Sequence, residues 1–173
     1  VLGSTIEDIE KFLIENKNIF LVEIANDNSE GQIVVSGKKI DLEKLSSFLK
    51  EKKIKNLNLP VSAPFHCSLM KNATNIMNKE LEKLEFKKGS NTLISNITAD
   101  EIFNADELKD LLVRQIENRV RWRESVINMI NKDVNQFIEI GPGKVLSGLI
   151  KRVNKDVEVK SINTEEDIKN IKI

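Results

Sequence analysis

Phe20-Leu21-Val22-Glu23-Ile24-Ala25-Asn26-Asp27-Asn28-Ser29-Glu30-Gly31-Gln32-Ile33-Val34-Val35-Ser36-Gly37 decides how this chain folds. Residues 20–25 are a short apolar run of strand length, and residues 32–37 are a second, rich in β-branched side chains. Between them, residues 26–31 collect Asn, Asp, Ser and Gly, whose side chains or backbone freedom favour turns. Two strands around such a turn make a hairpin. Working outward, each side carries a helix. Upstream, Ser4-Thr5 followed by Glu7-Asp8 is a capping-box signature, and Ile6, Ile9, Phe12 and Leu13 fall on one helical face. Downstream, Asp41 can cap a helix whose stripe is Leu42, Leu45, Phe48 and Leu49. Outermost, Val1-Leu2 has the character of a strand's tail, and residues 55–59 alternate like a half-buried strand. Residues 1–59 then spell β-α-β-β-α-β, the split βαβ order of a ferredoxin-like lobe.

Pro60 and Pro64 mark a boundary, and residues 60–173 form a second region. Leu69, Ala73, Ile76, Met77, Leu81 and Leu84 make a helical stripe, and residues 92–97 a short strand. Further helices are marked by Leu108, Leu111, Leu112 and Ile116, and by Trp122, Val126, Met129 and Ile130. A strand at residues 137–140 runs straight into Gly141-Pro142-Gly143, and a short helix follows through Val145, Leu146, Leu149 and Ile150. Residues 157–159 suggest a last strand, with Asn163 or Thr164 capping a terminal helix that reaches Ile171. Strands alternating with helices argue for an α/β fold with a mainly parallel sheet.

Composition narrows the function classes. Lys+Arg and Asp+Glu number 27 each in 173 residues, so no overall field points to nucleic acid or a membrane surface. No apolar run approaches the roughly 20 residues of a membrane span. The single cysteine rules out an intramolecular disulfide and a cysteine-rich metal site, which makes a reducing compartment the expectation and assigns no metal. The chain opens on Val1 and on what resembles the end of a strand, so a fragment is expected.

His66 is the only histidine, set at a loop-to-helix junction after the two prolines. An imidazole there is a candidate general base, with a merely hydrogen-bonded or solvated histidine as the alternative. No G-x-S-x-G elbow accompanies it, and Cys67 is best taken as a small packing residue. Gly141-Pro142-Gly143-Lys144 is either a backbone cradle for an anion or plain turn chemistry, and is not a Walker A loop. Lys50, Lys52, Lys53 and Lys55 are either a dock for an acidic partner or a solvated helix end. Asn26, Asn28 and Gln32 are either turn residues or ligands.

Several blocks together resemble one family. They are residues 26–37 as quoted above, Leu59-Pro60-Val61-Ser62-Ala63-Pro64-Phe65-His66-Cys67-Ser68-Leu69-Met70, Leu112-Val113-Arg114-Gln115, Val120-Arg121-Trp122 and Glu139-Ile140-Gly141-Pro142-Gly143-Lys144-Val145-Leu146-Ser147-Gly148-Leu149. In this order, and over nearly the whole chain, they resemble the C-terminal part of bacterial-type malonyl-CoA:acyl carrier protein transacylases. The resemblance implies an α/β-hydrolase-like large subdomain, of which residues 60–173 are the C-terminal part, and a ferredoxin-like small subdomain in residues 1–59 with its first strand truncated. It implies transfer of a malonyl group from malonyl-CoA to the phosphopantetheine thiol of acyl carrier protein in fatty acid biosynthesis, by a serine–histidine ping-pong mechanism without a cofactor. The family histidine falls on His66, and the backbone carbonyl that orients it falls on Gln115. Phe65, Asn28 and Asn26 fall on positions beside the acyl group, and Lys53 and Lys55 lie where the acidic carrier protein would dock.

Two departures stand out. Arg119 replaces a proline common in the family, and the N-terminal portion with the serine elbow, an oxyanion donor and the malonyl-gripping arginine is missing. The resemblance therefore implies a chain inactive alone, working with that missing portion in a bacterial cytoplasm or, alternatively, an organelle. A non-catalytic truncated homologue that binds carrier protein or acyl chain is the competing expectation, and a domain cut from a larger synthase is a third.

Overall fold

The computed structural model describes residues 1–87 and 89–170. They fall into two compact units, Val1–Ser125 and Val126–Ile173.

In the first unit, α1 (Ile6–Glu15) starts at Thr5, whose hydroxyl oxygen accepts from the Asp8 amide at 3.2 Å, as the capping signature requires. Strands β1 (Val22–Ser29) and β2 (Gln32–Gly37) pair antiparallel from Val22↔Gly37 to Ser29↔Gln32, with two register shifts. The expected turn shrinks to Glu30-Gly31, and Gly31 takes the left-handed φ of 70° that so tight a connection needs. Asn26, Asp27 and Asn28 belong to the strand because its second edge is also used. Val120 forms a parallel bridge with Asn26, the Asp27 amide donates to the Val120 carbonyl at 3.0 Å, and the Val120 amide donates to that of Ala25 at 2.8 Å. Turn-forming residues stay extended where two ladders hold them.

Helix α2 (Lys39–Glu51) begins two residues before the expected Asp41 cap. Lys38 is its N-cap without a side-chain bond, and Asp41 sits in the first turn facing Lys44. Leu2 bridges antiparallel to Gln32 on one side and to Lys55 on the other. The strand order is thus the residue-55 segment, the residue-2 segment, β2, β1, which is that of a ferredoxin-like lobe. Its core is apolar on the helix side. Ile6 and Ile9 of α1 pack with Ile33, and Phe20 packs with Leu45 and Leu49, flanked by the ring cluster Phe12, Phe20 and Phe48. The expected strand at residues 55–59 is only the Lys55 bridge, and Leu57 and Leu59 are exposed. Their alternation identified an apolar face but no neighbour pairs with it here.

A 3-10 turn (Ser68–Met70) leads into α3 (Lys71–Glu82). Strand β3 is only Leu93–Ile94, paired antiparallel with β4 (Glu101–Ile102). The expected longer strand stops because Ser95 turns the chain: its hydroxyl oxygen accepts from the Ile97 amide, its carbonyl from Ala99, and its own amide reaches Asp100. Helix α4 (Ala105–Arg114) is capped by Asn104, whose side chain accepts from the Glu107 amide at 2.7 Å. The units divide within α5 (Trp122–Asn131).

In the second unit, β5 (Gln136–Ile140), α6 (Val145–Val153) and β6 (Glu158–Ile162) form a β-α-β element with the strands parallel, from Gln136↔Glu158 to Ile140↔Ile162. Thr164 caps α7 (Glu165–Asn170), and Ile171, where the terminal helix was expected to end, lies outside the described residues. Three two-stranded sheets are present among the described residues and only this one is parallel, which corrects the expectation of a mainly parallel sheet. No described helix is long and apolar enough to cross a membrane.

Candidate functional site

The prolines and the turn they enforce place His66 between β1 and α4. His66 takes φ 59°, and Cys67 after it is extended. That left-handed conformation is uncommon for a residue with a Cβ and persists only when the surroundings hold it. Three contacts do so. Cys67 is fully buried and its thiol donates to the Pro64 carbonyl at 3.1 Å, the packing role expected of it. Ser68 is tied through its amide and its hydroxyl to the Glu23 carboxylate on β1. Finally, the His66 ring Nδ1 lies 2.8 Å from the backbone carbonyl of Gln115 at the end of α4.

The last contact fixes the chemistry of the ring. A carbonyl oxygen only accepts, so Nδ1 carries the proton, and Nε2 of the neutral imidazole is left with its lone pair. That is the form a general base needs. Gln115 ends α4 with its amide bonded to the Leu111 carbonyl, and its side-chain oxygen accepts from Asn96. The carbonyl that faces His66 is thus anchored on both sides.

The structure brings His66 and Gln115 together and puts Phe65 next to them, 48% exposed. Asn26 and Asn28 sit half-buried on β1, and no hydrogen bond among the described residues ties either to His66. Lys53 and Lys55 lie exposed just past α2, where Lys53 takes the left-handed φ of 59° that ends the helix, and Lys52 rests over the Phe48 ring. Gly141 and Gly143, both at positive φ, make the strand-to-helix turn in the second unit. The α6 N-terminus there is already occupied by the Glu139 carboxylate, which accepts from the Leu146 and Ser147 amides at 3.1 and 2.7 Å. Plain turn chemistry accounts for the Gly-Pro-Gly-Lys block, since an anion would have to displace that carboxylate.

Two contacts have no counterpart in the spacing of the sequence. Asp27 is 1% exposed and receives the Arg123 guanidinium on both oxygens, at 3.1 and 2.9 Å from Nε and 2.8 Å from a terminal nitrogen. The pair fastens the segment after α4 to β1, and the hydrogen bonds that Arg123 donates to Asp27 hold the guanidinium above its ordinary pKa. Glu23 is the other, and its only trace in the sequence is one charge inside the apolar run 20–25. Next to Arg123, Arg121 donates to the Ile97 and Thr98 carbonyls and pairs with Glu124, whose carboxyl is lowered by the Arg121 hydrogen bond. Arg119, where the family commonly has proline, reaches Glu10 of α1 and Glu124.

No family model matches the chain. A malonyl CoA-acyl carrier protein transacylase of Bacillus subtilis is 40% identical over 149 residues, which are 86% of this chain and 47% of that protein. The crystal structure of a malonyl CoA-acyl carrier protein transacylase from Clostridium perfringens superposes with a TM-score of 0.91 at 37% identity, over 97% of this chain and 53% of that one. A complex of a type II PKS acyl-carrier protein with its malonyl-transacylase gives 0.90 at 34%, over 97% and 55%. The chain spans about half the length of the curated relatives it matches.

Proposed function

Because this chain is homologous to the C-terminal part of the malonyl CoA-acyl carrier protein transacylases, we propose that it carries the histidine half of a malonyl transferase. The nucleophilic serine, the oxyanion donor and the arginine for the malonyl carboxylate would come from the N-terminal portion that the relatives possess. In the first half-reaction, Nε2 of His66 takes the serine proton as the oxygen attacks the thioester carbonyl of malonyl-CoA. The carbon–sulfur bond breaks, the proton passes to the departing coenzyme A sulfur, and a malonyl ester of serine remains. In the second, Nε2 takes the proton of the phosphopantetheine thiol as sulfur attacks the ester carbonyl; the ester carbon–oxygen bond breaks, the proton passes to the departing serine oxygen, and malonyl is left as a thioester on the carrier protein. Gln115 stabilises the charged ring through its carbonyl, so no carboxylate is needed behind the imidazole. No cofactor enters.

Phe65 would border the acyl pocket and Asn28 and Asn26 its wall on β1. Lys53 and Lys55 would receive the acidic carrier protein, a role supported by their charge and exposure. Residues 1–59 would be the small subdomain and residues 60–173 part of the large one, in a cytoplasmic enzyme of fatty acid synthesis. The observation that carries the proposal is the 2.8 Å contact of Nδ1 with a carbonyl that can only accept.

The test is malonyl transfer from malonyl-CoA to carrier protein by the chain alone and by the chain mixed with a separately expressed N-terminal portion. Transfer is expected only in the mixture. None in a mixture that demonstrably assembles would favour a non-catalytic module that binds carrier protein or acyl chain.

A further inference from the structure

We propose that Glu23 is a positioning residue for His66, holding the histidine turn in the conformation that delivers Nδ1 to Gln115; this rests on the role given above to His66. The turn sits directly before a helix start. Cys67 is the N-cap of the Ser68–Met70 turn that continues into α3, yet it makes no side-chain capping bond, because its thiol is committed to Pro64. A helix start leaves amides without partners. Here the acceptor comes from β1, 45 residues earlier in the chain: Oε1 of Glu23 accepts from the Ser68 amide at 3.0 Å and from the Ser68 hydroxyl at 2.5 Å. A carboxylate at a helix N-terminus is also favoured by the helix dipole.

The consequence for His66 follows from its backbone. At φ 59° it occupies a conformation that costs free energy and is kept only where both flanks are fixed. On one flank the ring is held by Gln115. On the other, two residues along the chain, Ser68 is held by Glu23. With Glu23 removed, the turn can relax toward negative φ, and the imidazole swings off the Gln115 carbonyl. Among the described residues, no hydrogen bond joins Glu23 to the His66 ring. Glu23 acts on the base only through the backbone between Ser68 and His66.

The lone histidine makes the test direct, since one imidazole gives one set of nitrogen signals. In proton–nitrogen long-range correlation spectra of the neutral ring, the wild-type chain is expected to show the Nδ1–H tautomer. Glu23→Leu, which lacks the acceptor, is expected to average both tautomers, while Glu23→Gln, which keeps an oxygen in place, largely retains the wild-type pattern. Ser68→Ala, losing one of the two bonds, should fall between. Far-UV circular dichroism confirms that each variant is folded. A merely structural cap would lower the melting temperature but leave the tautomer unchanged. A folded Glu23→Leu chain with the full Nδ1–H signature overturns the proposal, and if that variant does not fold, an unaltered signature in Ser68→Ala does so. A wild-type chain without the Nδ1–H tautomer overturns the assignment of His66 itself along with it.

Discussion

His66 shows how much a single contact decides. The imidazole has two nitrogens, and the peptide oxygen of Gln115 assigns the proton to one of them at 2.8 Å. Its neighbour Phe65 is 48% exposed. In the proposed function, a ring at that point would leave little room for a branch at the acyl α-carbon. Phe65→Ala in the assembled enzyme is therefore expected to raise kcat/KM for methylmalonyl relative to malonyl by about 10- to 200-fold, the worth of one excluded methyl. An unchanged ratio would remove Phe65 from the specificity site. The residue scale was also the most legible in the sequence. His66 is unique, the adjoining prolines announce its loop, and the family motif supplied Gln115. Glu23 and Asp27 were not legible, because their partners Ser68 and Arg123 lie 45 and 96 residues away and no periodicity links them.

At the scale of elements, one device recurs. The helix after the histidine turn and the helix after the Gly-Pro-Gly turn both begin at a glutamate that projects from a strand, Glu23 of β1 and Glu139 of β5. The Ser147 side-chain hydrogen bond, seconded by backbone amides of the same helix end, holds the Glu139 carboxyl below the usual 4.5. A depressed carboxyl contributes stability that is fully present above its unfolded value and is lost as pH falls through its folded value. Glu139→Ala is thus expected to lower the melting temperature at neutral pH, and the gap to wild type should close as pH drops well below 4.5. A gap that persists in acid would mean that the charge of Glu139 does not cap α6. Helices and strands were legible wherever an apolar face meets a core within its own unit, as Ile6, Ile9 and Ile33 do. They failed where polar residues bond out of sight. Asn26-Asp27-Asn28 has the composition of a turn but is a strand, because Val120 supplies a second ladder.

For the molecule as a whole, the apolar pattern of the sequence outruns the contacts. Within Val1–Ser125, Leu57, Leu59, Leu69, Ile76, Met77 and Leu84 are exposed, although their spacing marks buried faces. Periodicity reports which side of an element is apolar and says nothing of what covers it. A chain that spans about half of its curated relatives leaves a natural candidate for the cover, the N-terminal portion assigned above the serine and the arginine. The hairpin of β1 and β2 and its flanking helices were legible because β1 and β2 pair with each other and Leu2 bridges to Gln32 and Lys55. The second region was not legible as a single sheet, because only β5 and β6 of its strands pair in parallel.

In the proposed function, His66 is the base of a malonyl transfer whose serine comes from the N-terminal portion that the relatives possess. The measurement that tests it most directly is the transfer rate of the assembled mixture with wild-type chain and with His66→Ala. A loss of about 10²- to 10⁴-fold is expected, the contribution of a positioned general base, with assembly unimpaired. An assembled His66→Ala mixture that transfers malonyl at the wild-type rate would contradict it.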